Sequence, residues 1–273
     1  MKKRLIVIGI VLIGLVAATF LFIQKKSSVP AKDEPYQKVA KSARVLYNKA
    51  EELAKEGNLL EAKKAYKELL TGYPDSYLVK EAGLRLDELN IEILFSPLPT
   101  EDSIFYEVKP GDTLSKIADD FGTTVELIMK SNNLTNSTIR PEMRLKISNA
   151  KYNILIDKSQ NILILKANGE ALKTYTVSTG ANNSTPSGTY KIENKLINPT
   201  WYKMGAVVPP DSPENILGSR WMGLDIPGYG IHGTTDETTI GKHITKGCVR
   251  MRNRDVEELY SIVTTETEVT IID

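Results

Sequence analysis

A long apolar stretch near the N-terminus has the length and composition of a membrane-spanning segment. Residues Leu5 to Ile23 carry no charge, and basic residues flank them on both sides: Lys2, Lys3, Arg4, Lys25 and Lys26. At about 1.5 Å of rise per residue, a helix of this length nearly spans a hydrocarbon core of about 30 Å. We therefore predict an N-terminal transmembrane anchor within residues 1–26, with a cleaved secretory signal as the alternative. Either route exports the remaining residues.

The composition excludes several classes of protein. With 41% hydrophobic and 25% charged residues, the chain has the make-up of ordinary globular proteins. It has one cysteine, Cys248, and two histidines, His232 and His243, which are too few for an internal disulfide or a Cys/His zinc site. The 35 Lys and Arg residues balance 34 acids, and several bases lie near the N-terminus, so the body is slightly acidic. We expect no nucleic-acid partner, no metal and no cofactor.

Residues 34–95 carry apolar side chains at spacings of three and four, which predicts an α-helical segment. Gly57 and Gly72 interrupt the pattern, so we expect three helices, the last over about Ser76 to Ile93. The small and aromatic positions of this segment resemble a single tetratricopeptide repeat: Ala50, Gly57, Ala62, Tyr66 and Pro74. The resemblance implies docking of a protein partner, and an amphipathic spacer that sets the distance from a membrane is the alternative.

Residues 104–148 predict a compact unit in the order strand, helix, helix, strand. The strands are Phe105 to Val108 and Leu145 to Ile147, and Thr123 with Glu126 predicts a capping box for the second helix. The segments VKPGDTLSKIA, FGTTVELI, NNL and IRP resemble those of LysM domains. The resemblance implies a βααβ domain that binds polymers containing N-acetylglucosamine, above all peptidoglycan.

The LysM resemblance also implies where the glycan lies. In that family the sugar occupies a shallow groove between the loop after the first strand and the segment before the last strand. Four residues of this chain fall there: Gly111, Asp112, Thr113 and Ile139. For Asp112 and Thr113, a structural role at the start of a helix is the alternative.

From residue 151 to residue 273 the pattern changes to short apolar strands separated by polar turns, which predicts a mostly β, largely antiparallel domain. One helix is expected from Asn253 to about Ile262, with the Asn253 side chain as its cap. The chain as a whole is therefore predicted to be multidomain.

Cys248 is the one cysteine, and its surroundings favour a nucleophile. A thiol reacts as the thiolate, so a nearby imidazole that accepts its proton is required. His232 lies upstream at the end of an apolar strand-like segment, whereas His243 lies in a polar stretch. Gly247 precedes the cysteine and permits close backbone approach, and Arg250 adds a cation. An inert buried thiol is the alternative for Cys248 taken alone.

This region resembles the catalytic motif of the L,D-transpeptidases, the YkuD-type domain. The matching residues are His232-Gly233 and the run Thr245-Lys246-Gly247-Cys248-Val249-Arg250. Further matches are Val177 to Gly180 and Thr185 to Tyr190, so the resemblance covers about residues 151–273. Lys246 departs from the second histidine that many members carry. His243 matches no position of the motif.

The resemblance implies a mechanism in which Cys248 attacks the carbonyl of the third residue of a tetrapeptide stem. His232 takes the thiol proton as general base and returns it as general acid, leaving a thioester acyl-enzyme. The other ring nitrogen of His232 needs a fixed partner, for which the Gly233 carbonyl and the Thr245 hydroxyl are the candidates. An amine of a neighbouring stem then resolves the thioester, which gives a 3→3 cross-link.

Three further site features follow from the resemblance. Backbone N–H groups at Gly247 and Cys248, with Lys246, are candidates for holding the oxyanion. Arg250 either holds an anionic group of the stem or braces the loop. The segment Asn198 to Gly223, rich in Pro, Gly and Trp, is expected to fold over the site as a lid.

Together these observations predict an L,D-transpeptidase at the bacterial cytoplasmic membrane, single-pass, with its catalytic part in the periplasm or cell wall. Its expected partners are peptidoglycan stem peptides and glycan strands, the membrane, and a protein docked on the helical repeat. Two alternatives stay open. The first is an L,D-carboxypeptidase, in which water resolves the thioester and tetrapeptide stems are trimmed. The second is a non-catalytic LysM wall tether, in which no thioester forms.

Overall fold

The computed structural model describes residues 34–203 and 205–273. The predicted membrane segment, Leu5 to Ile23, lies outside the described residues. Within the two described ranges, no helix combines the length and apolar character that crossing a bilayer requires.

The helical segment consists of α1 (Glu34–Lys55), α2 (Leu59–Gly72) and α3 (Val79–Leu94). Gly57 lies between the first two helices with φ of +80°, a conformation that glycine adopts without strain. Apolar side chains from all three helices share one buried cluster, including Ala50, Tyr66 and Leu86. The three predicted helices are confirmed, although α3 begins later than Ser76 because residues 74–78 form turns. The likeness to a tetratricopeptide repeat remains a prediction.

The LysM region has the predicted order, with β1 (Ser103–Glu107), α4 (Leu114–Phe121), α5 (Val125–Ser131) and β2 (Arg144–Ser148). Its strands pair antiparallel from Ser103 opposite Ser148 to Glu107 opposite Arg144.

The predicted capping box of the second LysM helix is wrong by one residue. Thr124, not Thr123, caps α5, because its Oγ1 accepts a hydrogen bond from Leu127 N at 2.9 Å. The Thr123 hydroxyl is buried without a partner.

The C-terminal region is built on an eight-stranded sheet. The strands are β3 (Tyr152–Asp157), β4 (Ile162–Ala167), β5 (Glu170–Thr176), β7 (Gly188–Ile197), β10 (Arg220–Leu224), β11 (Gly230–His232), β13 (Val249–Arg250) and β14 (Glu268–Ile272). Their order across the sheet is β13-β11-β10-β7-β14-β3-β4-β5. Only the β11–β13 and β14–β3 neighbours of this sheet are parallel. The prediction of a mostly β, largely antiparallel domain is therefore confirmed.

Two small sheets and one helix complete this region. β6 (Thr179–Gly180) pairs with β12 (His243–Thr245), and β8 (Trp201–Lys203) pairs with β9 (Ala206–Val208). The helix α6 (Asn253–Ile262) has the predicted bounds. Its cap position is Arg252, which makes no side-chain capping bond. The predicted capping role of Asn253 is wrong, because its side chain bonds elsewhere.

The LysM region packs directly against both other regions. Ser131 Oγ donates to Leu94 O at 2.8 Å, and Lys130 Nζ lies 3.0 Å from Ser261 Oγ at the end of α6. The Thr124 hydroxyl donates to Ser261 O. Lys146 Nζ also donates to carbonyl oxygens at the carboxyl end of α3. We call this set of contacts the junction. Leu127 also joins the hydrophobic core of the β domain.

Candidate active site

Parallel pairing at one end of the large sheet brings the predicted histidine and cysteine into one cleft. Ile231 of β11 lies opposite Val249 of β13, and His232 lies opposite Arg250. Cys248 immediately precedes β13, so it sits beside the end of β11. Both side chains line a cleft of about 570 Å³.

His232 is 2% exposed and is held by its backbone neighbour. Its Nδ1 lies 2.6 Å from Gly233 O. A carbonyl only accepts, so Nδ1 carries the proton and Nε2 is left as an acceptor. Burial lowers the pKa of His232 to about 4. The imidazole is therefore neutral near pH 7 and able to take a proton at Nε2.

Trp221 of β10 stacks on the His232 ring, with centroids 6.0 Å apart and the planes inclined by 21°. Glycine makes room for the indole, since a Cβ at Gly230 would lie 2.6 Å from its Cζ2. Trp221 is a site residue that no motif in the sequence indicated. The available signal was a tryptophan in a strand beside glycine-rich turns.

Cys248 is half-buried, and its Sγ donates a long hydrogen bond of 3.5 Å to Gly228 O. Burial raises the pKa of the Cys248 thiol, and the Arg250 cation acts in the opposite direction as a smaller effect. The resting cysteine is consequently a thiol rather than a thiolate.

The loop before the cysteine is fixed by Thr245 and by a glycine. Thr245 Oγ1 donates to Cys248 O at 2.6 Å and accepts from Gly247 N at 3.1 Å. Of the two predicted partners for the second ring nitrogen of His232, the Gly233 carbonyl is therefore the one that the structure shows. The Thr245 hydroxyl instead bonds within the cysteine loop. Gly247 has φ of +130°, and a Cβ there would lie 2.5 Å from a ring carbon of Tyr229.

The predicted oxyanion role of the Gly247 N–H is not supported by this arrangement. That N–H donates to the Thr245 hydroxyl and not into the cleft. Gly247 instead supplies the turn and the space that place Cys248.

Arg250 carries unused hydrogen-bonding capacity at the cleft. Its Nη1 lies 3.1 Å from Thr239 Oγ1, whereas its Nε is buried without a partner. Its backbone is tied to Ser178 by two hydrogen bonds of 2.8 and 2.9 Å. A buried N–H without an acceptor costs free energy, so an acceptor that reaches Arg250 Nε, from a ligand or an ordered water, would stabilise this arrangement.

The walls of the cleft are largely apolar, and its described lining contains two cations and no carboxylate. The cations are Lys246 and Arg250. The segment that carries β8 and β9 contributes Trp201 and Tyr202, which places the predicted lid along the cleft. Asn215 braces this segment, since its Nδ2 donates to Pro199 O at 2.9 Å and to Pro209 O at 3.1 Å.

His243 makes a polar network apart from this cleft. Its Nδ1 lies 2.9 Å from Thr179 Oγ1, and its Nε2 lies 3.1 Å from Asn161 Nδ2. His243 is not among the described residues that line the cleft, in agreement with the absence of a motif match.

The predicted glycan residues of the LysM region have structural contacts. Asp112 Oδ2 accepts from Tyr106 Oη and from Lys109 N, each at 2.8 Å. Thr113 caps α4, Gly111 has φ of +85°, and Ile139 packs on the LysM core. The capping alternative is confirmed for Thr113, whereas Asp112 braces the turn before the helix, and glycan contact by any of the four remains a prediction.

The fold and the cleft define a class: a mostly β domain with a buried histidine and a cysteine nucleophile, suited to acyl transfer. Comparison with known proteins indicates which family within this class the chain resembles. Residues 151–271 match the L,D-transpeptidase catalytic domain, and residues 106–148 match the LysM domain.

Two relatives are each named putative L,D-transpeptidase YkuD. The one from Bacillus licheniformis is 36% identical over 177 residues, which is 62% of this chain and 98% of the relative. The one from Bacillus subtilis is 34% identical over 173 residues, which is 61% and 97%. A solved L,D-transpeptidase from Mycobacterium tuberculosis H37Rv is 14% identical with a TM-score of 0.40, over 49% of this chain and 63% of that one. This chain belongs to the L,D-transpeptidase family, and it is an enzyme of that type.

Proposed function

We propose that this enzyme joins peptidoglycan stem peptides by 3→3 cross-links through a thioester on Cys248. The observation that carries the proposal is the short contact between His232 Nδ1 and Gly233 O. Because Nδ1 donates to that carbonyl, Nε2 is the unprotonated nitrogen, and His232 and Cys248 line the same cleft. A cysteine next to a correctly oriented neutral imidazole is the arrangement that nucleophilic acyl transfer requires.

The reaction starts from a neutral pair. The Cys248 thiol leaves Gly228 O and turns toward His232 Nε2, which takes the proton as Sγ bonds to the carbonyl carbon of the third stem residue. The tetrahedral intermediate collapses, the bond to the terminal D-alanine breaks, and His232 gives its proton to the departing amine. An amine of a second stem then attacks the thioester and loses a proton to His232, which passes it to Sγ as the C–S bond breaks and the Cys248 thiol is released.

The charge of the cleft supports an anionic donor. Lys246 and Arg250 are the charged residues of the described lining, and Arg250 Nε has no protein partner. A tetrapeptide stem ends in a carboxylate, which accepts hydrogen bonds from a guanidinium in a well-defined geometry. The largely apolar walls disfavour water beside the thioester, which supports an amine acceptor.

The regions outside the catalytic domain determine where the enzyme acts. The LysM region holds the glycan strands, the helical segment docks a protein, and Leu5 to Ile23 anchors the enzyme in the cytoplasmic membrane with its catalytic part outside. Since two linked contacts with the same polymer raise the effective concentration of stems, weak glycan binding suffices.

The test is mass spectrometry of the purified protein incubated with a disaccharide-tetrapeptide. We expect a cross-linked dimer, a mass shift of the protein that corresponds to the acylated Cys248, and neither product in Cys248→Ala. Monomeric tripeptide without dimer would replace the proposal with the carboxypeptidase. Unchanged tetrapeptide together with binding to insoluble peptidoglycan would replace it with the wall tether.

A further inference from the structure

The Asn253 side chain lies between two loops that enter the active site. Ser219 N and Thr234 N both donate to its Oδ1, each at 3.1 Å. Ser219 lies in the predicted lid segment just before β10, and Thr234 follows the pair His232-Gly233. One oxygen at the start of α6 therefore holds the base of the lid against the histidine loop.

Two glycines allow this close approach. A Cβ at Gly218 or at Gly233 would lie 2.2 Å from Asn253 Oδ1, closer than any side chain tolerates. A Cβ at Gly218, whose φ is +65°, would also lie 2.4 Å from Thr234 N. The backbone of both loops is thus shaped around the Asn253 oxygen.

The bond to Thr234 N matters because of the peptide group it belongs to. Thr234 N–H and Gly233 C=O are the two ends of one planar peptide. Its carbonyl oxygen lies 2.6 Å from His232 Nδ1, and its N–H donates to Asn253 Oδ1. Rotation of this peptide would break both hydrogen bonds together, and donation at one end strengthens acceptance at the other.

We propose that Asn253 is a positioning residue for His232, acting through the Gly233–Thr234 peptide. Asn253 fixes that peptide, the peptide carbonyl fixes the Nδ1–H tautomer, and Nε2 is thereby kept as the base. The inference rests on the proposed function of His232 as general base, and it adds a residue outside the reacting groups.

The variants are Asn253→Ala, Asn253→Asp and Val256→Ala. Asn253→Ala removes the acceptor, so we expect kcat to fall about tenfold, which is the effect of one hydrogen bond of about 1 to 1.5 kcal/mol, with KM little changed. Asn253→Asp keeps an acceptor oxygen at the amino end of a helix, where a negative charge is tolerated, and kcat should return to within about threefold of the wild type. Val256, fully buried one turn further along α6, is the matched control for lost stability.

A spectroscopic measurement separates positioning from folding. In protein labelled with ¹⁵N-histidine, the imidazole ¹H–¹⁵N spectrum reports the tautomer directly, and His243→Gln assigns the two signals, since the chain has only two histidines. We expect a single Nδ1–H tautomer for His232 in the wild type, Val256→Ala and Asn253→Asp, and a mixture in Asn253→Ala.

The inference is overturned if Asn253→Ala keeps the single tautomer with kcat within twofold of the wild type, or if Asn253→Asp is as impaired as Asn253→Ala. Should the wild type give no product that depends on Cys248, the proposed function fails, and the tautomer measurement still decides the role of Asn253.

Discussion

The cleft and the junction both bury cationic side chains, yet they satisfy them differently. At the junction, Lys146 is 1% exposed, and its Nζ donates to Ile93 O at 3.0 Å and to Ser96 O at 2.8 Å. At the cleft, Arg250 Nε is buried with no protein acceptor. Buried polar groups are nearly always paired, and Arg250 also lines the cleft, so we expect a ligand or an ordered water to complete its hydrogen bonding. The junction therefore holds the regions of the chain together, whereas the cleft leaves a polar group for a ligand.

The same contrast extends to the neutral groups. At the junction, Thr124 and Ser131 donate to carbonyl oxygens of other regions, so the three regions are fixed to one another. At the cleft, the Cys248 thiol makes only a long hydrogen bond of 3.5 Å to Gly228 O, and both Cys248 and His232 line the cleft. The expected consequence is that changes at the cleft alter activity with little effect on stability, and changes at the junction do the reverse.

The largest expected effect is that of removing the base. His232→Gln should lower kcat/KM by about 10²–10⁴-fold, since a general base contributes rate accelerations of this size. His243→Gln is the matched control and should leave kcat/KM within about twofold. The measurement is the initial rate of dimer formation from the disaccharide-tetrapeptide. Equal losses in both variants would contradict the separation of the two histidines.

Arg250 tests whether the unpaired N–H serves the substrate. Arg250→Gln should raise KM about 10- to 100-fold, because a hydrogen bond to a charged group contributes about 1.5 to 3 kcal/mol. Arg254, whose side chain is 77% exposed, provides the control Arg254→Gln, for which we expect no change. If KM is unchanged while the midpoint of thermal unfolding falls, Arg250 braces the loop through Thr239 instead.

Some of this arrangement is readable from sequence. The β domain, the LysM order and the residues Cys248 and His232 follow from strand patterns and local motifs, because the relevant spacing lies within short segments. The hydrogen bonds between residues that are distant in the chain do not follow from such patterns. Asn253 has the residue type and position of a helix cap, and its bonds to Ser219 N and Thr234 N depend on two distant glycines that permit close approach.

The junction was beyond sequence reasoning for a related reason. Residues 96–99 contain two prolines and have the composition of a linker, which gives no sign that the LysM region packs against α3. Lys146 is a charged residue that an alternating strand pattern places on a surface. Its burial depends on the free carbonyls at the carboxyl end of α3, which attract a cation only after the regions have packed.

Lys146→Met tests the structural side of the comparison. The change leaves Ile93 O and Ser96 O without their donor, which should lower the free energy of unfolding by about 1 to 3 kcal/mol. For a chain of this size the midpoint of thermal unfolding should fall by about 3–10 °C. The rate of dimer formation at 25 °C should stay within about twofold. A loss of activity without a loss of stability would overturn the assignment of Lys146 to the junction.

The smallest expected effect concerns pH. Burial lowers the pKa of Lys146 to about 8 from its usual 10.5, so the folded protein loses this proton at a lower pH than the unfolded chain does. Between these two values the unfolded state binds more protons, and the contribution of Lys146 to stability therefore rises with pH. Below about pH 8 the lysine is charged in both states, and its contribution is constant.

The difference in unfolding free energy between the wild type and Lys146→Met should therefore increase by about 1 to 2 kcal/mol from pH 7 to pH 9.5, since one pKa unit corresponds to about 1.4 kcal/mol. Chemical denaturation at the two pH values measures it. Taking the difference cancels the contribution of other titrating groups, including Lys195, whose pKa burial also lowers to about 8. A difference that stays constant or shrinks would mean that Lys146 keeps its ordinary pKa, and hence that water reaches the junction.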